Sequence, residues 1–217
     1  MKIASFAPLR NTEEKRDADE FRREAVKFSA FHGPDAKTYL FDNGKTKTDR
    51  AAYVREALAY YQDLDAVCFF SHGGRTSIQA GFSGVAGAES LAASLARFSS
   101  LRTVVLYCCS TASGPSDDVL APGPGGDGGF ADSLRDELAQ TFSRAVTVYG
   151  HQSIGHTTQN PYVRRFSHLT GAGGEWVIAS KSERWNAWCR ALRSSPDFRF
   201  KFPFLSDAEL DAELARF

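Results

Sequence analysis

The chain has 217 residues and a mass of 23.8 kDa, which is a usual size for one domain with its own core, so we expect a single domain over residues 1–217. Its 26 basic and 26 acidic side chains cancel, and this balance gives no electrostatic reason to expect binding to nucleic acid or to a membrane. Four cysteines are too few for a disulfide framework, and the first residues turn polar too soon for a secretory leader. We therefore expect a cytoplasmic protein with free thiols.

Short apolar runs alternate with longer amphipathic segments along the chain. The pattern predicts strands at 3–7, 38–41, 66–70, 103–107, 145–149 and 176–179, and helices at 13–31, 49–61, 89–98, 130–142, 183–192 and 208–217. The stretch 151–174 is irregular and polar, and we assign it no element. Two of the strands, 66–70 and 103–107, are apolar throughout, as strands covered on both faces are. The sequence therefore predicts an α/β fold whose mostly parallel, six-stranded sheet carries helices on both faces.

Reactive side chains follow both of the fully apolar strands. His72 comes after the first, and Cys108 and Cys109 come at the end of the second. Ligands of open α/β sheets bind beyond the carboxyl ends of the strands, so neighbouring strands would bring imidazole and thiol to one crevice. There the imidazole can activate a thiol that is otherwise mostly protonated. Gly73 has no Cβ, so its amide can approach a substrate carbonyl and form an oxyanion hole with the amide of Cys109.

These two segments resemble those of the caspase-like cysteine peptidases, the group of caspases, metacaspases, legumain, separase and CHAT domains. Residues 69–73 (FFSHG) are similar to the strand that ends in Ser-His-Gly, and residues 104–111 (VVLYCCST) to the strand that ends in the catalytic cysteine. In CHAT-type members a threonine stands two positions after that cysteine, which selects Cys109 over Cys108 as nucleophile. The resemblance implies a three-layer α/β/α fold and hydrolysis of protein or peptide substrates through a His72–Cys109 dyad and a thioester, without a cofactor.

The resemblance also indicates where substrate is bound. Metacaspases carry an aspartate where this chain has Tyr107, so a preference for basic substrate residues is not supported. Caspases use an arginine just after the first strand, a place comparable to that of Arg10, and Arg164 and Arg165 follow the fifth predicted strand. These arginines suggest an acidic or polar substrate residue. Further groove contacts are expected from the loop beyond residue 151, namely from Gln152, His156, Thr157 and Asn160.

The Gly-, Pro- and Asp-rich segment 113–129 is predicted to be a long active-site loop. It corresponds to the place where caspases and their relatives are cut during maturation. Its aspartates, Asp117, Asp118 and Asp127, leave open self-processing or a loosely bound Ca²⁺, beside the simpler interpretation as a solvated loop.

Other interpretations remain. Cys68 and Cys189 suit a hydrophobic core, and Cys108 is a minor alternative as nucleophile. His151 and His156 with Cys108 or Cys109 would suit Zn²⁺, but no metal-binding spacing supports this. No G-x-S-x-G elbow, P-loop or dinucleotide fingerprint occurs. The rival hypothesis is a catalytically inactive caspase-fold or flavodoxin-like domain that binds or regulates a partner.

Overall fold

A computed structural model describes residues 1–9, 17–115, 125–142, 145–155, 160–167 and 173–217, and for residues 17–19 the backbone only. Within them the strands are β1 (Ile3–Pro8), β2 (Ala36–Phe41), β3 (Ala66–Ser71), β4 (Gly73–Gly74), β5 (Ser77–Ile78), β6 (Phe82–Ser83), β7 (Thr103–Cys108), β8 (Thr147–His151), β9 (Val163–Phe166) and β10 (Glu175–Trp176). The helices are α1 (Asp17–His32), α2 (Lys47–Ala59), α3 (Gly84–Leu95), α4 (Phe130–Thr141), α5 (Glu183–Ser194), α6 (Phe198–Lys201) and α7 (Asp207–Leu214).

The central sheet has the strand order β10-β9-β8-β7-β3-β1-β2. The pairs from β2 to β8 are parallel, whereas β9 runs antiparallel to both β8 and β10. The prediction of an α/β fold with a mostly parallel sheet is confirmed. The predicted count of six strands was wrong, because β9 lies in the segment that showed no strand pattern and raises the number to seven.

Helices cover both faces of this sheet, so the three-layer arrangement is also confirmed. One face packs its side chains, such as Phe69 and Leu106, against α2, α3 and α4. The other face, with Phe70 and Tyr107, packs against α1 and the C-terminal helices. Because side chains alternate along a strand, β3 and β7 contribute to both cores, which is why their sequences are apolar at every position.

A small three-stranded sheet of β4, β5 and β6 follows β3 directly and was not predicted. Each of its strands has two residues, too few for a periodic pattern. It is fixed by its contact with α2: a Cβ on Gly81 would lie 2.2 Å from the carbonyl oxygen of Lys47, so only glycine allows this approach. The small sheet therefore stands beside the carboxyl end of β3 and next to the start of α2.

The remaining differences from the predicted elements are shifts of bounds. The predicted strand 176–179 shrinks to β10, and the predicted helix 89–98 begins earlier, at Gly84. Residues 13–16 of the first predicted helix lie outside the described residues. Among the described residues, no helix combines the length and the apolar character needed to cross a membrane.

Candidate active site

His72 and Cys109 lie side by side in the backbone at the carboxyl end of the sheet. Strands β3 and β7 are parallel neighbours, and the last pair in their register is Ser71 with Cys108. His72 and Cys109 are the next residue on each strand, so the adjacency that the sequence analysis required is present. Both are partly exposed, whereas the pair before them is buried.

The direction of the side chains follows from the alternation of the strands. Ser71 and Cys108 turn to the face covered by α2, α3 and α4, where Ser71 Oγ lies 3.4 Å from Cys108 Sγ. One residue further, alternation directs His72 and Cys109 towards the opposite face. The His72 ring indeed meets the edge of Phe21 on α1, with ring centroids 5.0 Å apart.

The main chain of His72 is held by two hydrogen bonds to its carbonyl oxygen. The Ser71 hydroxyl donates one at 3.0 Å, and the Gln79 N–H donates the other at 2.9 Å. Gly73 then passes close to the second strand: a Cβ there would lie 2.7 Å from the carbonyl oxygen of Cys109 and 2.8 Å from Cys108 Cβ. The absence of a side chain at Gly73 is therefore what lets the two backbones meet.

The residues after Cys109 are fixed by the segment that follows β8. Ser110 adopts a positive φ of 57°, and its N–H donates to the carbonyl oxygen of Ser153 at 2.7 Å. Gly155 packs so closely on Cys108 that a Cβ would lie 2.5 Å from the carbonyl group of that residue. The turn that follows Cys109 is thus held by the loop after β8.

The cysteines differ in burial and in proton affinity. Burial raises the pKa of the Cys108 thiol to about 12, although the hydrogen-bond contact with Ser71 opposes this shift. Burial also raises the pKa of Cys68 far above its usual range, and that of Cys189 to a lesser degree. Only thiolate is a good nucleophile, so these three thiols are poorly suited to attack a substrate.

A buried network organises the loop after β8. The side-chain amide of Asn160 donates to the carbonyl oxygen of Ile154 at 2.6 Å and lies 3.3 Å from both His151 Nδ1 and Ser153 Oγ. Sequence reasoning named Asn160 as a substrate contact but did not foresee this role. The network orders the same segment that accepts the hydrogen bond from Ser110.

The arginines predicted to bind substrate are directed to different places. Arg164 is 1% exposed; its Nη1 donates to the carbonyl oxygen of Ala112 at 2.9 Å and to Gln152 Oε1 at 2.6 Å, and its guanidinium stacks on Trp176. Arg165, one residue on, lies on the opposite face and pairs with Asp207 of α7 at 2.8 Å. Arg164 therefore supports the segment behind Cys109, while Arg165 ties β9 to α7.

Several candidate residues lie outside the described part of the chain. These are Arg10, His156, Thr157, Asp117 and Asp118. Of the 113–129 loop, the structure describes 113–115 and 125–129. Within the described residues, no group of three or more His, Cys, Asp or Glu side chains is arranged to hold a metal ion.

Comparison with known proteins gives little beyond this geometry. No family model and no curated protein matches the chain. A solved structure of a secreted C11 cysteine protease from Bacteroides thetaiotaomicron, in complex with an irreversible peptide inhibitor, is similar over 72% of this chain, with 12% identity and a TM-score of 0.41. The chain spans about half of that protein, 52% of its length.

Proposed function

We propose that this protein is a cysteine endopeptidase that hydrolyses peptide bonds with His72 as base and acid and Cys109 as nucleophile. The observation that carries the proposal is the register of β3 and β7, since His72 and Cys109 directly follow the paired residues Ser71 and Cys108. The proposal is supported because a histidine and a cysteine, both partly exposed, follow neighbouring strands at the edge of the sheet where α/β proteins bind ligands, and nucleophilic catalysis by a thiol needs an imidazole nearby.

The reaction proceeds in two steps. His72 takes the proton of the Cys109 thiol, the sulfur attacks the substrate carbonyl carbon, and the carbonyl electrons move onto oxygen. When the C–N bond breaks, His72 returns the proton to the leaving amine, and the acyl group stays on sulfur as a thioester. Water then loses a proton to His72 and attacks the thioester, which releases the acid and restores the thiol.

The amides of Gly73 and Cys109 are proposed to stabilise the oxyanion. The Gln79 N–H donates to the carbonyl of His72, and the next two residues, Gly73 and Ile78, are the first pair of the β4–β5 ladder. In an antiparallel ladder, pairs that exchange hydrogen bonds alternate with pairs whose amides point away from the partner strand. On this pattern we propose that the Gly73 N–H points away from β5, where it can donate to the oxyanion.

The proposal is tested with Cys109→Ala and, as matched control, Cys189→Ala on α5, far along the chain from the proposed dyad. Hydrolysis of casein and covalent labelling by a peptide fluoromethylketone are measured, with intact mass locating the adduct. We expect Cys109→Ala to lose more than about 1,000-fold in hydrolysis and all labelling, and the control to keep both.

Two results would contradict the proposal. Full hydrolysis by Cys109→Ala would remove this residue from the chemistry. Sluggish labelling of the partly exposed cysteines at equal rates, with no hydrolysis by the wild type, would favour the inactive binding or regulatory domain instead.

A further inference from the structure

A cleft opens between the start of α2 and the small sheet β4–β6, and His72 and Gly73 form part of its wall. Its volume is about 170 Å³, below the ~300–1,000 Å³ typical of pockets for whole small molecules, so it suits a single side chain. The remaining wall consists of Lys47, Arg50, Ser77, Ile78, Gln79, Phe82 and Ser83. Among the described residues, the lining contains two cations and no carboxylate.

The two cations are not neutralised by ion pairs. Arg50 donates from Nε to the carbonyl oxygen of Gln79 at 2.6 Å, and from Nη1 to that of Lys45. Within the part of the chain that the structure describes, neither Lys47 nor Arg50 forms an ion pair with a carboxylate. The acidic residues nearest in sequence, Asp42 and Asp49, line a separate cleft on the other side of Arg50.

Two helices also begin at this cleft. Lys47 is the first residue of α2, and Ser83 precedes the first residue of α3 without capping it through its side chain. Helix N-termini carry partial positive charge and favour anions. Although Asp49 lies in the first turn of α2, these helix starts add partial positive charge to that of Lys47 and Arg50, in a chain whose net charge is zero.

We propose that this cleft binds the carboxylate of an aspartate or glutamate side chain that follows the scissile bond of the substrate. This inference rests on the proposed function, since the position of the bound residue in the substrate is inferred from the role of His72 as the acid. The imidazole must protonate the leaving amine, so the residues after the scissile bond pass next to His72, which is itself part of the cleft wall. Lys47 and Arg50 supply charge-assisted hydrogen bonds, and Ile78 and Phe82 contact the methylene groups.

The site is tested first by binding, which does not depend on catalysis. The ¹⁵N-labelled Cys109→Ala protein is titrated with N-acetyl-glutamic acid α-amide, which has one carboxylate, and with its twin N-acetyl-glutamine amide. We expect the glutamate compound to shift the backbone amides of Gly73, Ser77 and Gln79, and Lys47→Glu to weaken its binding by about tenfold or more. Lys37→Glu, at the exposed start of β2, makes the same change in net charge and should leave binding unchanged.

Three results of the titration would overturn the inference: no shifts with the glutamate compound, equal shifts with the glutamine twin, or equal loss in Lys47→Glu and Lys37→Glu. Inorganic phosphate is titrated in parallel. If phosphate shifts these amides and the glutamate compound does not, the cleft is a phosphate site and the carboxylate assignment is wrong.

Cleavage of a peptide library then tests the position in the substrate. Mass spectrometry of the products should show aspartate and glutamate enriched after the scissile bond with the wild type and Lys37→Glu, and not with Lys47→Glu. Cleavage without this enrichment overturns the assignment of position. If no peptide is cleaved but the glutamate compound binds, the peptidase proposal fails while the carboxylate site is supported.

Discussion

Cys108 and Cys109 are consecutive residues, yet the fold gives their thiols different surroundings. Cys108 is fully buried, and its Sγ donates to the carbonyl oxygen of Phe69 at 3.4 Å. Cys109, one residue beyond the strand, is partly exposed. The proposed chemistry therefore depends on a single position in the register of β7.

This difference predicts the order of thiol alkylation. With iodoacetamide at neutral pH, we expect Cys109 to react fastest and Cys189 slowly, and Cys68 and Cys108 to stay unmodified, because burial keeps their thiols protonated and out of reach. Peptide mapping by mass spectrometry at several times measures each rate, and all four should react once the protein is denatured. Rapid alkylation of Cys108 in the folded protein would contradict the burial of its thiol.

Gly73 allows a second test at the same scale. A methyl group in Gly73→Ala would meet the Cys109 carbonyl oxygen at 2.7 Å, and backbone cannot yield as a flexible side chain can. We expect a loss of about 1–3 kcal/mol in the free energy of unfolding and a clear fall in hydrolysis.

The neighbouring glycine provides the matched control. In Gly74→Ala the new methyl would lie 3.6 Å from Ser77 Oγ, an ordinary contact, so the free energy of unfolding should change by less than about 0.5 kcal/mol. The free energies of unfolding are measured by urea denaturation. Equal losses in the two variants would show that the close approach at Gly73 does not cause the loss of stability.

At the scale of elements, the loop between β8 and β9 is what holds the turn after Cys109. Its order comes from Asn160, whose side chain bonds to Ile154 and Ser153 and accepts the N–H of Tyr162 at 3.0 Å. The loop then accepts the Ser110 N–H through Ser153. Positioning of the thiol is thus a property of this loop as well as of β7.

We expect Asn160→Ala to lower the free energy of unfolding by about 1–3 kcal/mol, because buried partners lose their hydrogen bonds. It should also slow attack by the Cys109 sulfur, seen as slower labelling by the fluoromethylketone, which forms a thioether and releases fluoride. Asn186→Ala on the exposed side of α5 is the control and should change neither quantity. A stability loss with unchanged labelling would restrict Asn160 to folding.

The end of α1 gives a prediction about pH. His32 is half-buried and lies 3.1 Å from the carbonyl oxygen of Phe200 on α6, and burial lowers its pKa below the ordinary value of 6.5. The His32 imidazole therefore binds a proton more readily in the unfolded chain than in the folded one. Its contribution to stability is present above pH ~6.5 and is lost as the pH falls towards the pKa that His32 has in the folded state. His32→Gln should make Tm less dependent on pH between about 7 and 5 than in the wild type. An unchanged pH dependence would contradict this role.

At the scale of the whole molecule, the two ends of the 113–129 loop pack closely against each other. A Cβ on Gly114 would lie 2.5 Å from the carbonyl oxygen of Asp127, and one on Gly129 would lie 2.6 Å from that of Ser113. The strands before and after the loop, β7 and β8, are parallel neighbours in the sheet. A cut between these flanks would leave both halves packed in one core.

If the protein processes itself in this loop, we therefore expect two fragments that separate on a denaturing gel but elute together from a sizing column at the position of the intact 23.8 kDa chain. The Cys109→Ala variant should remain uncut. Fragments that elute apart would show that the sheet does not hold them, and a cut in Cys109→Ala would assign the cleavage to another protease.

The fully apolar runs made β3 and β7 predictable, and with them the positions of His72 and Cys109 at their ends. The small sheet β4–β6 was not predictable, because it is stabilised by the contact of Gly81 with α2 rather than by a local pattern. The same holds for β9, whose Arg164 and Arg165 look like surface residues in the sequence. In the fold one is buried and the other pairs with a distant helix.

The sequence by itself determined the α/β alternation, since this depends on neighbouring residues, and its resemblance to the caspase-like peptidases selected Cys109 over Cys108. Only the tertiary structure decided what lies around that thiol. The strand order brings His72 beside Cys109, and the loop after β8 closes on Ser110. The packing of α2 on the small sheet brings Lys47 and Arg50 next to Gly73. These are contacts between residues far apart in the chain, and no local spacing encodes them.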